Sequence, residues 1–473
     1  MIDCSTRAIV QYGALQQSPG YITLSYVWGE SSSEGRRFRN RVPRVVPKVI
    51  NDAIQVVLSL GYRYLWVDRY CIPESHADKH AQLRKMGDIY QNSDLTIIAA
   101  AGEGPHHGLP GASATPRREL RPYEFLSGSQ PWALYQLPTN LKRVIRDSNW
   151  YKRGWTYQEA LLCRRQLVFT KDQVYLQCKK THCMEILCPT LASDHPGIEA
   201  LGPTAEISSR FAVGRVFHPM TRQLACTEFP TMVNEYARRK LTYEDDILDA
   251  FEGILHRFEL LARPLENLYG IPLYPIDQSE LTDTDALVYG LLWNHAAADM
   301  LMGPDMMKGI VRRGAKREFP SWSWTGWKRV FGGGGLEYHF HLWPLSEILS
   351  DTGLSLGKNR FKALVEVHAA GLGGNDDPVM PWETQRENIL RLIRGGEGTP
   401  RIVSLNLLGW VLTFDVAVSK YSSGRGTEMV KLGPFKVHRE ELAISCCMAA
   451  GSGLLPTTKL RCIVLPLTCS LSP

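Results

Sequence analysis

A chain of 473 residues is too long for one ordinary core, since domains usually hold about 100–200 residues, so two or three are expected. Its 44% hydrophobic and 22% charged residues exclude wholesale disorder. The 54 basic and 48 acidic side chains leave a net +6, an excess that permits an anionic ligand but does not mark a nucleic-acid binder.

Eleven cysteines, an odd number without regular spacing, fit a reduced cytoplasmic chain with buried thiols. The first residues include Asp3 and lack the basic-then-apolar order of a signal peptide. No apolar run approaches the ~18 residues of a membrane helix, so no membrane span is expected. Twelve tryptophans are unusual, and large core residues are the simplest account of them.

Tyr21 to Trp28 is β-rich and partly alternating, and Gly29 ends it, which predicts a strand. Glu30 to Arg41 reads as a solvated loop. Pro47 opens a helix whose apolar positions are Val49, Ile50, Ala53, Ile54, Val57 and Leu60, and Gly61 closes it. Tyr64 to Asp68 resembles a buried parallel strand with an acid at its end. Leu83, Met86, Ile89 and Tyr90 give a second helix, and Leu95 to Ala101 a third strand. This alternation predicts βαβ units and a parallel sheet. Ligands of such sheets sit at the carboxyl ends of the strands, so Trp28–Glu30, Asp68–Glu74 and the loop from Gly102 to Gly111 are expected on one rim.

Farther on, Leu141 to Arg146 is expected as a strand and Trp155 to Leu162 as a helix. Gln166 to Thr170 and Val174 to Cys178 are expected as strands. Residues 189–225, rich in Pro, Gly, Ser and Thr, mark a boundary. Thr242-x-x-Asp245 forms a capping box for a helix with Ile247, Leu248, Phe251, Ile254 and Leu255 on its apolar face. The glycines at 332–335 read as a turn, without the strand and helix that a phosphate loop needs. Val403 to Val418 and Cys462 to Leu465 read as strands. Three regions follow: an α/β domain over 1–190, a helical and Trp-rich companion over 191–345, and a β-rich region over 346–473.

Three segments stand out in order: Leu24-Ser-Tyr-Val-Trp-Gly-Glu30; Tyr64-Leu-Trp-Val-Asp-Arg-Tyr-Cys-Ile72 with Gln82, Met86 and Ile89-Tyr90; and Arg153-Gly-Trp-Thr-Tyr-Gln-Glu159 with Leu161-Leu162 and Arg165. In type and order they resemble the fungal heterokaryon-incompatibility (HET) domain. In the second half, Tyr236-x-x-Arg-x-Leu-Thr-Tyr-x-x-Asp246, Asp249-Ala-Phe-x-Gly253 and Pro320-Ser-Trp-Ser-Trp-Thr-Gly-Trp327 are similar to segments common in the same proteins. One departure is the pair Pro73-Glu74, where the family usually carries a polar pair ending in Gln.

The resemblance implies non-self recognition and regulated cell death after fusion of unlike fungal cells. It also implies a flavodoxin/TIR-like parallel α/β sheet, followed by an α+β C-terminal region. Some TIR domains cleave NAD with a glutamate on a helix after a tryptophan, and Trp155-Thr-Tyr-Gln-Glu159 is similar to that pattern. On this reading the chain is an NAD glycohydrolase with Glu159 as the catalytic carboxylate, NAD as substrate rather than cofactor, and self-association as the switch. Ser25, Trp28, Gly29, Asp68, Arg153 and Trp155 are the substrate-binding candidates. The chemistry suits them: a carboxylate stabilises an oxocarbenium-like centre, an indole stacks on a base, and a guanidinium forks onto phosphate.

Plainer roles stand beside these. Glu159 is equally an ion-paired helix residue, Asp68 a helix cap, Arg153 a partner of Asp68 or Glu159, and the tryptophans core. The alternative function is a non-catalytic signalling or scaffold module that binds an incompatibility partner protein. Cys178, Cys183 and Cys188, with His182, fall at the edge of zinc-ligand spacing and lack a second pair, so no metal is expected. His106-His107 reads as surface loop.

Overall fold

The computed structural model describes residues 1–15, 18–29, 41–72, 82–83, 85–117, 123–127, 130–134, 140–180, 182–185, 216–217, 228–275, 282–291, 293–295, 310–314, 319–320, 322–329, 340–342, 361–363, 366–369, 380–394, 405–419, 429–443, 457–463 and 467–469. Glu30, Glu74, Cys188, most of the boundary at 189–225 and the glycines at 332–335 lie outside them. The chain divides into two compact units. The first holds Met1–Gln223 together with Arg239–Leu241 and Asp249–Ile254. The second holds Leu224–Arg238, Thr242–Leu248 and Leu255–Pro473.

The first unit is built on β1 (Ile2–Asp3), β2 (Ala8–Ile9), β3 (Tyr21–Ser25), α1 (Lys48–Ser59), β4 (Tyr64–Trp66), α2 (Asp68–Cys71), α3 (Met86–Asn92) and β5 (Leu95–Ala99). It continues with the hairpin β6 (Tyr123–Ser127) and β7 (Gln130–Leu134), then α4 (Leu141–Asp147), α5 (Trp155–Leu162), β8 (Arg165–Phe169), β9 (Val174–Cys178) and β10 (His182–Met184). Eight strands form one sheet in the order β10-β9-β8-β5-β3-β4-β1-β2. The four central strands run parallel, and the edge strands pair antiparallel. Numbered along the chain, the parallel strands stand in the order 2-1-3-4. Thus β4 lies on one side of β3 and β5 on the other, and the order of the strands reverses at β3.

Side-chain alternation gives the sheet two different faces. Ile22 and Leu24 of β3 join Leu65, Ile97 and the apolar side of α1 in one core. Tyr21, Thr23 and Ser25 point the other way. Tyr21 packs with Trp66, Met86 and Tyr90. The Thr23 hydroxyl pairs with that of Thr96 at 2.7 Å. This second face is as buried as the first and carries hydroxyls. A parallel sheet covered on both sides must satisfy such groups internally.

The β6–β7 hairpin lies in a stretch whose prolines and glycines read as loop up to about residue 140, and one expected element changes type. Residues 141–147 form a helix, not a strand. The Asn140 side chain accepts a hydrogen bond from the Arg143 backbone N–H at 3.2 Å, an N-cap, and Leu141 and Ile145 bury one helical turn apart.

Asp52 is 1% exposed on the apolar side of α1. Its carboxylate accepts from the Leu109 N–H at 2.9 Å and from the Thr115 hydroxyl, which ties the loop after β5 to α1. The Pro105 carbonyl accepts the Val49 N–H at 3.0 Å, a second tie.

In the second unit the Trp-rich segment is internal. Trp322, Trp324 and Trp327 are buried. The Trp324 indole donates to the Gly270 carbonyl at 3.0 Å, and the Ser323 hydroxyl to the Tyr269 carbonyl at 2.7 Å. Glu244 is bound by Lys328 and by the Gly314 N–H.

The single helix expected from Thr242 onward is instead a 3-10 turn over Glu244–Ile247, a break, and a helix over Glu252–Glu259. The Tyr236 hydroxyl occupies the Ile247 carbonyl at 2.7 Å, the acceptor that a continuous helix offers to residue 251. The C-terminal part holds the long paired strands Leu405–Ser419 and Met429–Ala443. It also holds a helix, Trp382–Arg394, that the sequence reading did not include. Among the described residues no helix is long and apolar enough to cross a membrane.

Replacing Asp52 by Ala leaves the Leu109 N–H and the Thr115 hydroxyl without their buried acceptor. Chemical denaturation is expected to show a loss of about 2–4 kcal/mol, while Asp52→Asn, which keeps one acceptor oxygen, loses less.

Candidate functional site

The site forms where the strand order reverses, at the carboxyl end of β3. Helix α5 packs across β3 and β5 there. It presents Glu159, only 4% exposed, to the hydroxyl-bearing face of the sheet. The Ser25 hydroxyl donates to the Glu159 carboxylate. The Trp150 indole N–H in turn donates to Ser25 Oγ at 2.6 Å. An indole N–H can only donate. Ser25 Oγ is therefore the acceptor in one bond, and its own hydrogen is directed to Glu159. The Tyr90 hydroxyl of α3 reaches the Leu24 carbonyl at 3.2 Å and lies beside the same carboxylate.

A second carboxylate stands at the end of β4. Asp68 Oδ2 accepts from the Trp28 indole at 2.7 Å, and its Oδ1 accepts from the Arg69 N–H at 2.7 Å. Asp68, the first residue of α2, thus partners both a rim tryptophan and the next backbone N–H. Arg153 donates to the Tyr26 carbonyl at 3.2 Å and sets its positive charge close to both carboxylates. Gly29 is exposed with φ +76°, and a Cβ there would lie 2.8 Å from Pro105 Cδ. Only glycine suits that conformation and that close approach. The Trp28–Asp68 bond joins the first expected rim segment to the second, and the Gly29–Pro105 contact joins it to the third.

Electrostatics follow from the burial. Burial pushes the Asp68 carboxyl up to about 6, against the pull of the Arg69 and Trp28 bonds. Burial and the Asp68 charge push Glu159 up to about 7, while Ser25, Arg153 and Tyr90 pull it down. Two acids thus titrate near neutrality within one cluster. A group of this kind can hold a proton or a charge according to small changes in its surroundings.

Not every candidate joins the cluster. Trp155, at the start of α5, is half-buried and packs with Tyr21, Trp66, Met86 and Tyr90. Trp28 packs on the opposite side of the sheet, with the core of Leu24 and Val67. The sequence reading missed Trp150 and gave Tyr90 no role. Trp150 is 1% exposed and edge-on to Phe217 at 5.9 Å. Its only sequence signal was its place in the tryptophan excess.

Among the described residues no cluster of three His, Cys, Asp or Glu side chains is placed to hold a metal ion. Cys4, Cys71, Cys163, Cys178 and Cys183 form no disulfide.

The Glu159 shift fixes the sign of a stability effect. Its folded value of about 7 lies above the ordinary 4.5, so the folded state holds the proton more tightly. The stabilisation it brings is complete below about pH 4.5 and is lost as pH rises through 7. Glu159→Gln, neutral at every pH, is expected to gain on wild type with rising pH. The relative gain from pH 5 to pH 8 is on the order of 2–3 kcal/mol in denaturant melts.

Comparison with known proteins agrees with the three motifs. Residues 21–159, from the first residue of β3 to Glu159, match the family described as heterokaryon incompatibility protein (HET). A curated relative, heterokaryon incompatibility protein 6, OR allele, of Neurospora crassa, is 30% identical over 283 residues. That match spans 50% of this chain and 40% of the relative. No solved structure matches the chain. Residues 21–159 are thus similar to the heterokaryon incompatibility (HET) domain.

Proposed function

We propose that the chain acts in fungal non-self recognition and regulated cell death, in the cytoplasm, and that its site cleaves the nicotinamide–ribose bond of NAD. The carrying observation is a buried carboxylate, Glu159, held by Ser25 where the parallel strands change order. Open α/β sheets bind ligands at that position, and the 2-1-3-4 order is that of the flavodoxin type, which supports the TIR-like comparison.

Bond cleavage releases nicotinamide and leaves an oxocarbenium-like ribose carbon that water captures, giving ADP-ribose and a proton. The ionised Glu159 carboxylate offsets the positive charge of that carbon. Ser25 keeps the carboxylate aimed, and Arg153 supplies a positive charge for the pyrophosphate. Trp28, fixed at its N–H by Asp68, offers a ring face at the rim. Self-association assembles the active form.

The 4% exposure of Glu159 favours a second reading, a non-catalytic module whose rim binds a partner protein. Incubating concentrated protein with NAD separates the two. Wild type is expected to release nicotinamide at a rate that rises with pH through about 7, as Glu159 ionises. Glu159→Ala is expected to lose about 100-fold or more. No release from assembled wild type would sink the enzyme reading. Unchanged release from the variant would remove only the role of Glu159.

A further inference from the structure

The helix that carries Glu159 is also gripped from outside the matched segment. Arg239 lies between two tyrosine rings, its guanidinium carbon 4.0 Å from the Tyr151 centroid and 4.5 Å from that of Tyr157. The same group donates to the carbonyls of Tyr151 and Arg153 and to the Thr156 hydroxyl, the last two at 3.3 Å. The next residue extends the grip. Lys240 N–H donates to the Lys152 carbonyl at 2.6 Å, and its carbonyl accepts the Gly154 N–H at 2.7 Å.

A second hold lies one turn along α5. Phe251 stacks on Tyr157 with centroids 6.2 Å apart and planes 9° from parallel. The Gly253 N–H donates to Gln158 Oε1 at 3.1 Å. A Cβ on Gly253 would lie 2.9 Å from Gly87 Cα and 2.7 Å from Leu162 Cδ1, so α3, α5 and this segment meet at a spacing only glycine allows. Lys152 to Gln158 and Leu162 are thus fixed on both sides of Glu159, by residues more than eighty positions away in sequence.

We propose that Arg239 is a positioning residue for Glu159: wedged between Tyr151 and Tyr157, it locks the first turn of α5 so that the carboxylate meets Ser25 at the end of β3. This rests on the reading of Glu159 as the working carboxylate. A planar guanidinium suits the task, because it stacks on two rings while its edge donors reach carbonyls. A lysine offers one point charge and no plane.

The test reads Glu159 without relying on catalysis. Trp150 bonds to Ser25, and Ser25 to Glu159, so the Trp150 ring senses the carboxylate. The full-length protein is labelled with 5-fluorotryptophan, and the Trp150 fluorine resonance is assigned by its loss in Trp150→Phe. In wild type that resonance is expected to move with pH around a midpoint near 7.

In Arg239→Met the loosened helix admits water to Glu159, and the midpoint is expected to fall by about one pH unit, since burial is what raised it. Simple loss of a nearby positive charge would move it the other way. Arg239→Lys is expected to fall between the two. Asp52→Ala, which destabilises the same unit without touching α5, is expected to lower Tm and leave the midpoint in place.

Gly253→Ala tests the second hold and serves where Arg239→Met fails to fold; a lowered midpoint is expected there too. The proposal is overturned by a wild-type resonance that does not titrate. It is equally overturned by a midpoint that rises, or that moves no further in these variants than in Asp52→Ala. Nicotinamide release measured on the same samples judges the NAD reading separately: a silent wild type with a lowered midpoint in Arg239→Met fails that reading and keeps the positioning role.

Discussion

The bond from Ser25 to Glu159 is the constraint around which the first unit is arranged. A carboxylate at 4% exposure is costly unless its oxygens find donors. Ser25 provides one, and Trp150 fixes its direction, because an indole cannot accept. Removing any member of this chain leaves a buried polar atom without its partner. The arrangement therefore fixes where α5 lies on β3. It also explains why a large aromatic, Trp150, is fully covered here: its N–H has a defined acceptor, the condition under which indoles are buried at low cost.

The same constraint gives the sheet its asymmetry. One face of β3 is filled by Ile22 and Leu24 and needs only shape. The other carries Thr23 and Ser25 and needs matched partners, which Thr96 and Glu159 supply. Interiors with satisfied polar chains specify one packing more narrowly than apolar ones, since a shifted helix loses bonds as well as contacts. The ties outside the helix act in the same sense. Arg239 saturates carbonyls at the entry to α5, and Gly253 lets a neighbouring backbone approach its middle. A carboxylate whose proton affinity depends on burial requires a helix that does not drift.

Much of this was legible in the sequence. β3, α1, β4, β5 and α5 follow from apolar spacing and from glycine and proline punctuation. The rim follows from the rule that parallel strands end on one side. What was not legible has physical reasons. The 141–147 segment has a short apolar pattern that fits either period, and its Asn140 cap decides it. The break after Ile247 depends on Tyr236, eleven residues earlier, whose hydroxyl takes a carbonyl the helix would use. Trp150 and Arg239 act through partners 125 and 83–88 positions away, and no local pattern encodes such a pairing. The partial alternation in β3 was visible, but which of its residues face hydroxyl partners rather than an apolar core was not.

Two acids sharing one cluster give the site a direction of response. Burial raises Asp68 to about 6, while the indole and backbone N–H that its two oxygens accept hold it down. Burial first, and the Asp68 charge second, raise the cost of ionising Glu159. Ser25 is the group through which the state of Glu159 is felt at Trp150. Anything that wets either acid returns it toward ordinary carboxylate behaviour, since burial is the largest cause of both shifts. The residues that surround the two acids divide by origin. Ser25, Trp28, Asp68, Trp150 and Arg153 lie within 21–159, whereas the clamp on α5 comes from 239–254. A segment cut at residue 190 keeps the acids and loses the clamp, so the chemistry of the cluster and the extent of the folding unit are one question.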